Sequence, residues 1–441
     1  MSGASRDTIF ALSSGALPAG IAVVRVSGPD AAQAIEKLVG KIPEPRRAVS
    51  ALLRDADGAL LDRGLVLWLP APGTATGEDI AEFHLHGGRA VVAAVQAALS
   101  RLPGMRVAEP GEFTRRAFLN GRLDLAQAEG LADLLAAETE LQRRQALRQA
   151  EGGLGKLVAG WRERLLTLSA QVEAAIEFGE DEDDVPALPP DLVASLRALR
   201  EDIQAALAQP PAERLRDGVR IQLAGPVNAG KSSLINILAG RDAAITSAIA
   251  GTTRDIIEVP VNIAGMPCLL WDSAGLRATA GHVESLGVER SRQAMAGVDL
   301  ILWLGAPDDC PYPDKAIIVQ SKSDLGRPEA GADVAVSAVT GEGIPALRAL
   351  LEERVRALLP PPDAIALNQR QQRHLSAASG WLHGALGVLE DQAIPGLKAD
   401  GDILIVAENL RLARLELDHV TGRAGVEDML DALFGRFCVG K

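Results

Sequence analysis

The chain has 441 residues, 47% of them hydrophobic and 23% charged, which excludes global disorder. At roughly 100–200 residues per domain, this length favours two to four domains. A net charge of −13 and an aromatic content of 3% argue against a protein that coats nucleic acid through a general basic surface or stacks many bases. The three cysteines, Cys268, Cys310 and Cys438, form no CxxC pair, so zinc, iron–sulfur and disulfide frameworks are not expected. The start carries no basic end followed by a long apolar run, and runs such as 300–304 fall far short of the roughly 18 residues of a membrane helix. The expectation is a soluble, intracellular, multidomain protein with no membrane partner.

Residues 1–121 read as an α+β domain. Strands are predicted over 20–26, 64–69 and 80–86, with helices over 30–39 and 89–100. His84 and His86 flank Leu85, so a strand turns both rings to one face, and two ligands alone do not make a metal site. From Arg122 to Gln149 the sequence is rich in Leu, Ala, Glu, Gln and Arg without proline, which predicts one long helix. A second helix follows over 154–178. An acidic run over 177–184 and prolines at 186, 189 and 190 read as a solvated loop before a third helix over 191–208. Residues 122–217 therefore form the first part of a helical domain. Residues 218–358 alternate strand (219–224, 256–263, 267–272, 300–304, 316–320, 332–336) with helix, as an open doubly wound α/β sheet does. Residues 359–441 return to helical composition, with apolar stripes over 375–389 and 404–417 that read as core. The fold class is thus multidomain α/β plus α, with the α/β domain inserted into a discontinuous helical domain.

Gly225-Pro226-Val227-Asn228-Ala229-Gly230-Lys231-Ser232 fits GxxxxGK[ST] between a predicted strand and a predicted helix. In that context Gly225, Asn228, Ala229 and Gly230 curl backbone N–H groups around phosphate. Lys231 supplies a point charge, Ser232 a Mg²⁺ ligand, and Ser233 continues the helix start. Thr252 and Thr253 offer a hydroxyl for Mg²⁺, and Asp272-Ser273-Ala274-Gly275 ends a strand with an acid for the metal and an N–H for the γ-phosphate. In Ser321-Lys322-Ser323-Asp324, the Asp324 carboxylate can accept both guanine N–H groups, a pattern adenine lacks. Ser337-Ala338-Val339 can present a backbone N–H to guanine O6. The order of these features is that of a GTPase. Ser321 stands where GTPases usually have asparagine, which reduces hydrogen bonding around the base while Asp324 keeps the specificity.

With those motifs the chain resembles the MnmE/TrmE family of tRNA uridine-modification GTPases over essentially its full length. The resemblance is carried by Asp7-Thr8-Ile9, Arg25-Val26-Ser27-Gly28, Gly77-Glu78-Asp79, His86-Gly87-Gly88, Pro110-Gly111-Glu112-Phe113-Thr114, Leu123-Asp124-Leu125-Ala126-Gln127-Ala128-Glu129 and the end Phe437-Cys438-Val439-Gly440-Lys441. It implies an amino-terminal domain that forms a homodimer and binds 5,10-methylene- or 5-formyl-tetrahydrofolate, with Arg25, Glu82, Arg122 and Lys441 at the contact positions. It implies a GTPase that uses K⁺ in place of an arginine finger, with Asn228, Ser247, Ile249 and Thr252 around K⁺, and Ser232 and Thr253 on Mg²⁺. Glu284 matches the acid that orients the attacking water, although by itself it reads as an exposed helix glutamate. Cys438 is either a small buried hydrophobe or a nucleophile on a tail that reaches the folate site. The resemblance further implies tRNA and the FAD enzyme MnmG (GidA) as partners, in the cytoplasm. Three other readings stay open: a ribosome-assembly or regulatory GTPase switch without folate chemistry, a P-loop ATPase or kinase, and a catalytically weak scaffold.

Overall fold

The computed structural model describes residues 7–177, 188–226, 228–240, 257–272, 295–326, 330–361, 364–391, 399–424, 433–435 and 437–440. The chain divides into two compact units, residues 1–132 with 421–441, and residues 133–420.

The first unit runs β1 (Thr8–Leu12), β2 (Ala19–Ser27), α1 (Ala31–Val39), β3 (Val49–Arg54), β4 (Leu60–Leu69), β5 (Ile80–Gly87), α2 (Arg89–Ser100), β6 (Met105–Val107), α3 (Glu112–Leu119) and α4 (Leu125–Ala136), the last of which crosses into the second unit. Its sheet has the order β3-β4-β5-β2-β1-β6, antiparallel except for the β1–β6 pair. Alternation along β2 decides the faces. Ala22, Val24 and Val26 turn inward with Phe10 and Phe83 against Ile35 of α1 and Val95 and Leu99 of α2. On the opposite face, Ile9 and Ala11 are covered by Phe113 of α3. Arg25 belongs to that second face and lies in register with Ala11 on one side and Glu82 on the other.

A charge network centred on the buried Arg116 holds α3 to this sheet. Arg116, 4% exposed, pairs with Asp7, Glu78 and Glu112, and Arg106 pairs with Asp7 and Glu112. The Ser27 hydroxyl donates to Glu78 at 2.8 Å. The carboxy-terminal residues cluster with this unit although they follow the helical segment in sequence. Phe434 and Phe437 pack on Leu125 and Ala128, and Val439 bridges Pro110. Two glycines permit the fit: a Cβ on Gly111 would lie 2.3 Å from the Phe434 carbonyl oxygen, and one on Gly440 would lie 1.9 Å from that of Leu12.

The second unit continues with α5 (Glu140–Ala150), α6 (Gly153–Glu177), α7 (Leu192–Leu207), α8 (Ala212–Arg216), β7 (Val219–Ala224), α9 (Lys231–Leu238), β8 (Ile257–Ile263), β9 (Met266–Asp272), β10 (Leu300–Trp303), β11 (Ala316–Gln320), β12 (Val334–Ala335), α10 (Ile344–Leu358), α11 (Gln369–Asp391) and α12 (Ala399–Thr421). The expected single helix over 122–149 is two helices. Thr139 opens α5 with a capping box, its hydroxyl accepting from Gln142 N–H while the Gln142 side chain accepts from Thr139 N–H. The acidic run over 178–184 lies outside the described residues. The second sheet has the order β12-β11-β10-β7-β9-β8 and is parallel except for the β8–β9 hairpin. Ile221, Leu223, Leu270, Leu302 and Ile317 share its core with Leu234 of α9 and Leu347 of α10. The apolar stripes of α11 and α12 are core, as expected: Leu375, Leu382, Val406, Leu410 and Leu417 are buried.

The charge network makes the first unit sensitive to acid. Burial pushes the Glu112 carboxyl up, but the Arg106 guanidinium, the Glu109 N–H and Arg116 outweigh it and hold the group below the ordinary 4.5. A depressed carboxylate contributes stability above its unfolded value and loses it as pH falls through the folded value. Glu112→Gln is expected to cost roughly 1–3 kcal/mol at neutral pH, with a shallower loss of stability below about pH 4.5 than the parent shows. Urea unfolding across a pH series checks both.

Candidate nucleotide-binding site and a second site on the amino-terminal sheet

β7 delivers the chain to the phosphate loop at the carboxyl end of the parallel sheet, where open α/β sheets bind ligands. Gly225 has φ +140°, and a Cβ there would lie 2.9 Å from the Leu304 backbone, so the loop crosses closely over the end of β10. Leu304 N–H donates to Ala224 O at 2.7 Å and fixes that crossing. Asn228 (φ +62°) and Gly230 (φ +87°) then turn the chain into α9 through two left-handed conformations. Lys231 is buried, and its Nζ donates to the carbonyls of Gly225 at 3.1 Å and Pro226 at 2.7 Å. Ser232 and Ser233 are exposed in the first turn of α9. The start of a helix favours anions, and the glycine-bearing loop curls its backbone in front of it. These residues fit a polyphosphate, and the Ser232 hydroxyl fits Mg²⁺.

The candidate base-recognition loops follow β11 and β12 at the same end of the sheet. Ser321 lies beside the phosphate loop, since a Cβ on Gly230 would sit 3.8 Å from Ser321 Cβ. Lys322 has φ +58° and caps a short 3₁₀ turn, Ser323–Leu325, that exposes Asp324. Ser323 N–H donates to Val336 O at 3.1 Å, and Val336 N–H to Gln320 O at 2.8 Å, so the two loops are sewn together. Ser337 is fully buried. Its hydroxyl accepts from Val339 N–H at 3.2 Å and Thr340 N–H at 3.1 Å, which sets the path of Ala338 and Val339. That organising role of Ser337 was not part of the sequence reading; its signal is the serine that opens a turn ending in glycine.

The structure thus gathers Gly225, Asn228, Ala229, Gly230, Lys231, Ser232, Ser233, Ser321, Lys322, Asp324, Ser337, Ala338 and Val339 at one end of one sheet. Asp272 ends β9, in register with Leu223 of β7. Ser247, Ile249, Thr252, Thr253, Ser273, Ala274, Gly275 and Glu284 lie outside the described residues.

On the amino-terminal unit, Arg25 Nε donates to Glu82 Oε1 at 2.9 Å, across the β2–β5 register. Glu82 Oε2 contacts His84 Nε2 at 3.2 Å, and the Arg25 guanidinium stands 5.9 Å from the centre of the Phe113 ring. Arg122 is exposed, its stem close to Gly77. Among the described residues no hydrogen bond or ion pair links Arg122 to the Arg25–Glu82 pair. His86 is held by Asp62 through its ring Nδ1 at 2.8 Å and its N–H at 2.9 Å. Burial pushes the Asp62 carboxyl up, but those His86 hydrogen bonds bring it below its usual value. Cys438 is exposed, which sets aside the buried-hydrophobe reading, whereas burial pushes the Cys268 thiol up to about 12. Lys441 lies outside the described residues. Among the described residues no cluster of three or more His, Cys, Asp or Glu is arranged to hold a metal, and no helix is long and apolar enough to cross a membrane.

A mostly parallel sheet with a Gly-Lys-Ser phosphate loop and an Asp324-type base loop defines a P-loop nucleotide-binding protein of the GTPase class. Comparison with known proteins makes the class narrower. The family model described as the GTP-binding protein TrmE N-terminus matches residues 8–122, and that of the MnmE helical domain matches residues 125–438. The tRNA modification GTPase MnmE of Rhizorhabdus wittichii is 54% identical over 439 residues, covering 99% of this chain and 97% of that protein. Those of Novosphingobium aromaticivorans and Erythrobacter litoralis are 53% and 51% identical, each covering 99% of this chain and 100% of the relative. The chain belongs to the MnmE family of tRNA modification GTPases.

Lys231→Ala removes the charge at the centre of the phosphate loop. It is expected to weaken GTP binding by about 10- to 100-fold, the loss of a charge-assisted hydrogen bond, with the unfolding midpoint little changed. A fluorescent-nucleotide titration measures it.

Proposed function

We propose that this chain is a K⁺-dependent GTPase that uses a tetrahydrofolate one-carbon unit, together with an FAD-dependent partner, to build the (carboxymethyl)aminomethyl group at C5 of the tRNA wobble uridine. The observation that carries the reading is the phosphate loop, with Lys231 already buried at its centre and Ser321 and Asp324 beside it, in a chain of the tRNA modification GTPase family. Lys231 neutralises the terminal phosphates, and Asp324 selects guanine. Mg²⁺ and K⁺, when bound, supply positive charge that offsets the charge developing between the β- and γ-phosphates. Ser232 and Asn228 are the described residues proposed to meet them. Thr253 on Mg²⁺, Ser247, Ile249 and Thr252 around K⁺, and Glu284 orienting water complete the proposal.

The folate site is proposed on the amino-terminal sheet. Glu82 accepts from pterin N–H groups with Arg25 paired beside it, while Arg122 and Lys441 meet carboxylates. The chain acts as a cytoplasmic homodimer with MnmG (GidA) as the FAD enzyme, and Cys438 is the candidate nucleophile. The domain limits proposed are 1–121, 122–217, 218–358 and 359–441.

The test is mass spectrometry of wobble-uridine nucleosides from a strain that lacks the gene, with and without the chain restored. Loss of the aminomethyl-type nucleoside and its return on complementation support the reading. An unchanged nucleoside profile would show that the GTPase serves another substrate. At the base, Ser321→Asn adds an amide next to the phosphate loop and is expected to raise GTP affinity by about 10-fold without altering GTP-over-ATP preference. Competition titrations with the two nucleotides read both quantities.

A further inference from the structure

The nucleotide domain is an insertion, so the chain passes into it and out of it once each. The incoming segment comprises α8 and the residues up to Val219, and the outgoing segment follows α10. One face of α5 holds both. Gln142 Nε2 donates to the carbonyls of Leu215 at 3.0 Å and Arg216 at 3.3 Å. Nearly one turn further, Gln145 Nε2 donates to the carbonyl of Pro361 at 2.8 Å. Both side chains are buried. The other end of the Gln142 amide is also used, since its Oε1 accepts from the N–H groups of Glu138 at 2.9 Å and Thr139 at 2.8 Å. One primary amide therefore fixes the start of α5 with its oxygen and the incoming segment with its nitrogen. A carboxylate has no donor for the second task, and an apolar side chain performs neither.

The two segments are bound to each other as well. Arg214 bridges Asp299 Oδ1 at 2.9 Å and the Leu358 carbonyl at 3.4 Å, and Ala212 N–H donates to Leu367 O at 3.0 Å. Asp299 Oδ2 in turn accepts from Arg220 N–H, in β7, at 3.0 Å. Leu141 of α5 packs on the core of the sheet. From this attachment β7 leads straight to Gly225, about 20 Å away at the rise of a strand. The glutamines therefore stand at the end of the sheet opposite the nucleotide and touch none of it. One continuous strand and a two-point clamp thus connect the phosphate loop to α5.

We propose that Gln142 and Gln145 are positioning residues that couple the nucleotide state of the inserted domain to the helical domain, and through it GTP turnover to tRNA modification. The proposal rests on the function given above. Two full-length variants test it. Gln142→Glu keeps the acceptor that caps α5 and loses the donor to the incoming segment. Gln145→Met removes the donor to the outgoing one. The readouts are kcat and KM for GTP, wobble-uridine modification in the complemented strain, thermal unfolding, and backbone hydrogen exchange. Expected are GTP kinetics within about twofold of the parent, modification reduced by about 10-fold or more, and faster exchange over 212–218 and 359–361. Modification that falls only in proportion to GTP turnover or to the folded fraction overturns the proposal and leaves the glutamines a purely structural role. If Gln142→Glu does not fold, Gln145→Met decides alone. If the parent chain itself restores no modification, the functional reading is what has failed. The clamp is then judged by exchange in α5 between GTP-analogue and GDP states: a difference that Gln145→Met abolishes supports it, and no difference in the parent overturns it.

Discussion

An ammonium group buried in a protein interior must be compensated, because leaving its charge unpaired costs several kcal/mol. Lys231 meets this requirement with the carbonyl oxygens of its own loop, Gly225 and Pro226. To bring those two carbonyls over Nζ, the loop must double back on itself. That is possible because Gly225 has no side chain to strike Leu304 and because Asn228 and Gly230 take left-handed conformations. The two carbonyl oxygens hold Nζ at the centre of the loop, where an anion cradled by the backbone N–H groups meets it.

The direction of the sheet then assigns tasks to its two ends. Parallel strands β7, β10, β11 and β12 all deliver their carboxyl ends to the nucleotide side. Each strand therefore begins on the far side, and that is where the inserted domain joins the helices. The chemistry of the two ends differs accordingly. Backbone N–H groups, a lysine and an exposed carboxylate mark the nucleotide end. The far end is marked by side-chain amides and Arg214–Asp299 that bind backbone to backbone. An arrangement of this kind holds the domain firmly at its root while the ligand loops stay accessible.

Much of this was legible in the sequence where a local rule coincides with the fold. Val219–Ala224 is a strand by its apolar run, and the phosphate loop follows from glycine spacing. β2 alternates cleanly because one of its faces is core. Elements without such coincidence were lost. β1 is buried on both faces and β6 has three residues, so neither shows a period, and β3 alternates in exposure but hides it by placing Leu52 outward beside the buried Leu53. The break between α4 and α5 carries only a Thr139–Gln142 capping signal inside an otherwise helix-favouring stretch. Gln142 and Gln145 look like ordinary surface glutamines in the sequence, and only the tertiary fold brings Leu215, Arg216 and Pro361 to them. The attachment of the tail to the amino-terminal unit depends on Phe434, Phe437, Gly111 and Gly440, residues far apart in sequence whose roles exist only once the chain is folded.

The same logic bears on the proposed folate chemistry. Arg25 and Glu82 are partners across a strand pair, with side chains 26% and 15% exposed. Arg25 therefore meets any incoming anion already partly neutralised, and as an isolated anchor for a carboxylate it is weak. The pair is better suited to a ligand edge that both donates and accepts, since the guanidinium and carboxylate together present donors and acceptors side by side. A pterin ring has such an edge. Its glutamate carboxylates need a cation that is not already paired, and Arg122, exposed and without an ion-pair partner among the described residues, meets that condition. On this view the polar ring, and not the anionic tail, is what the Arg25–Glu82 pair would read, with the Phe113 ring 5.9 Å from the guanidinium.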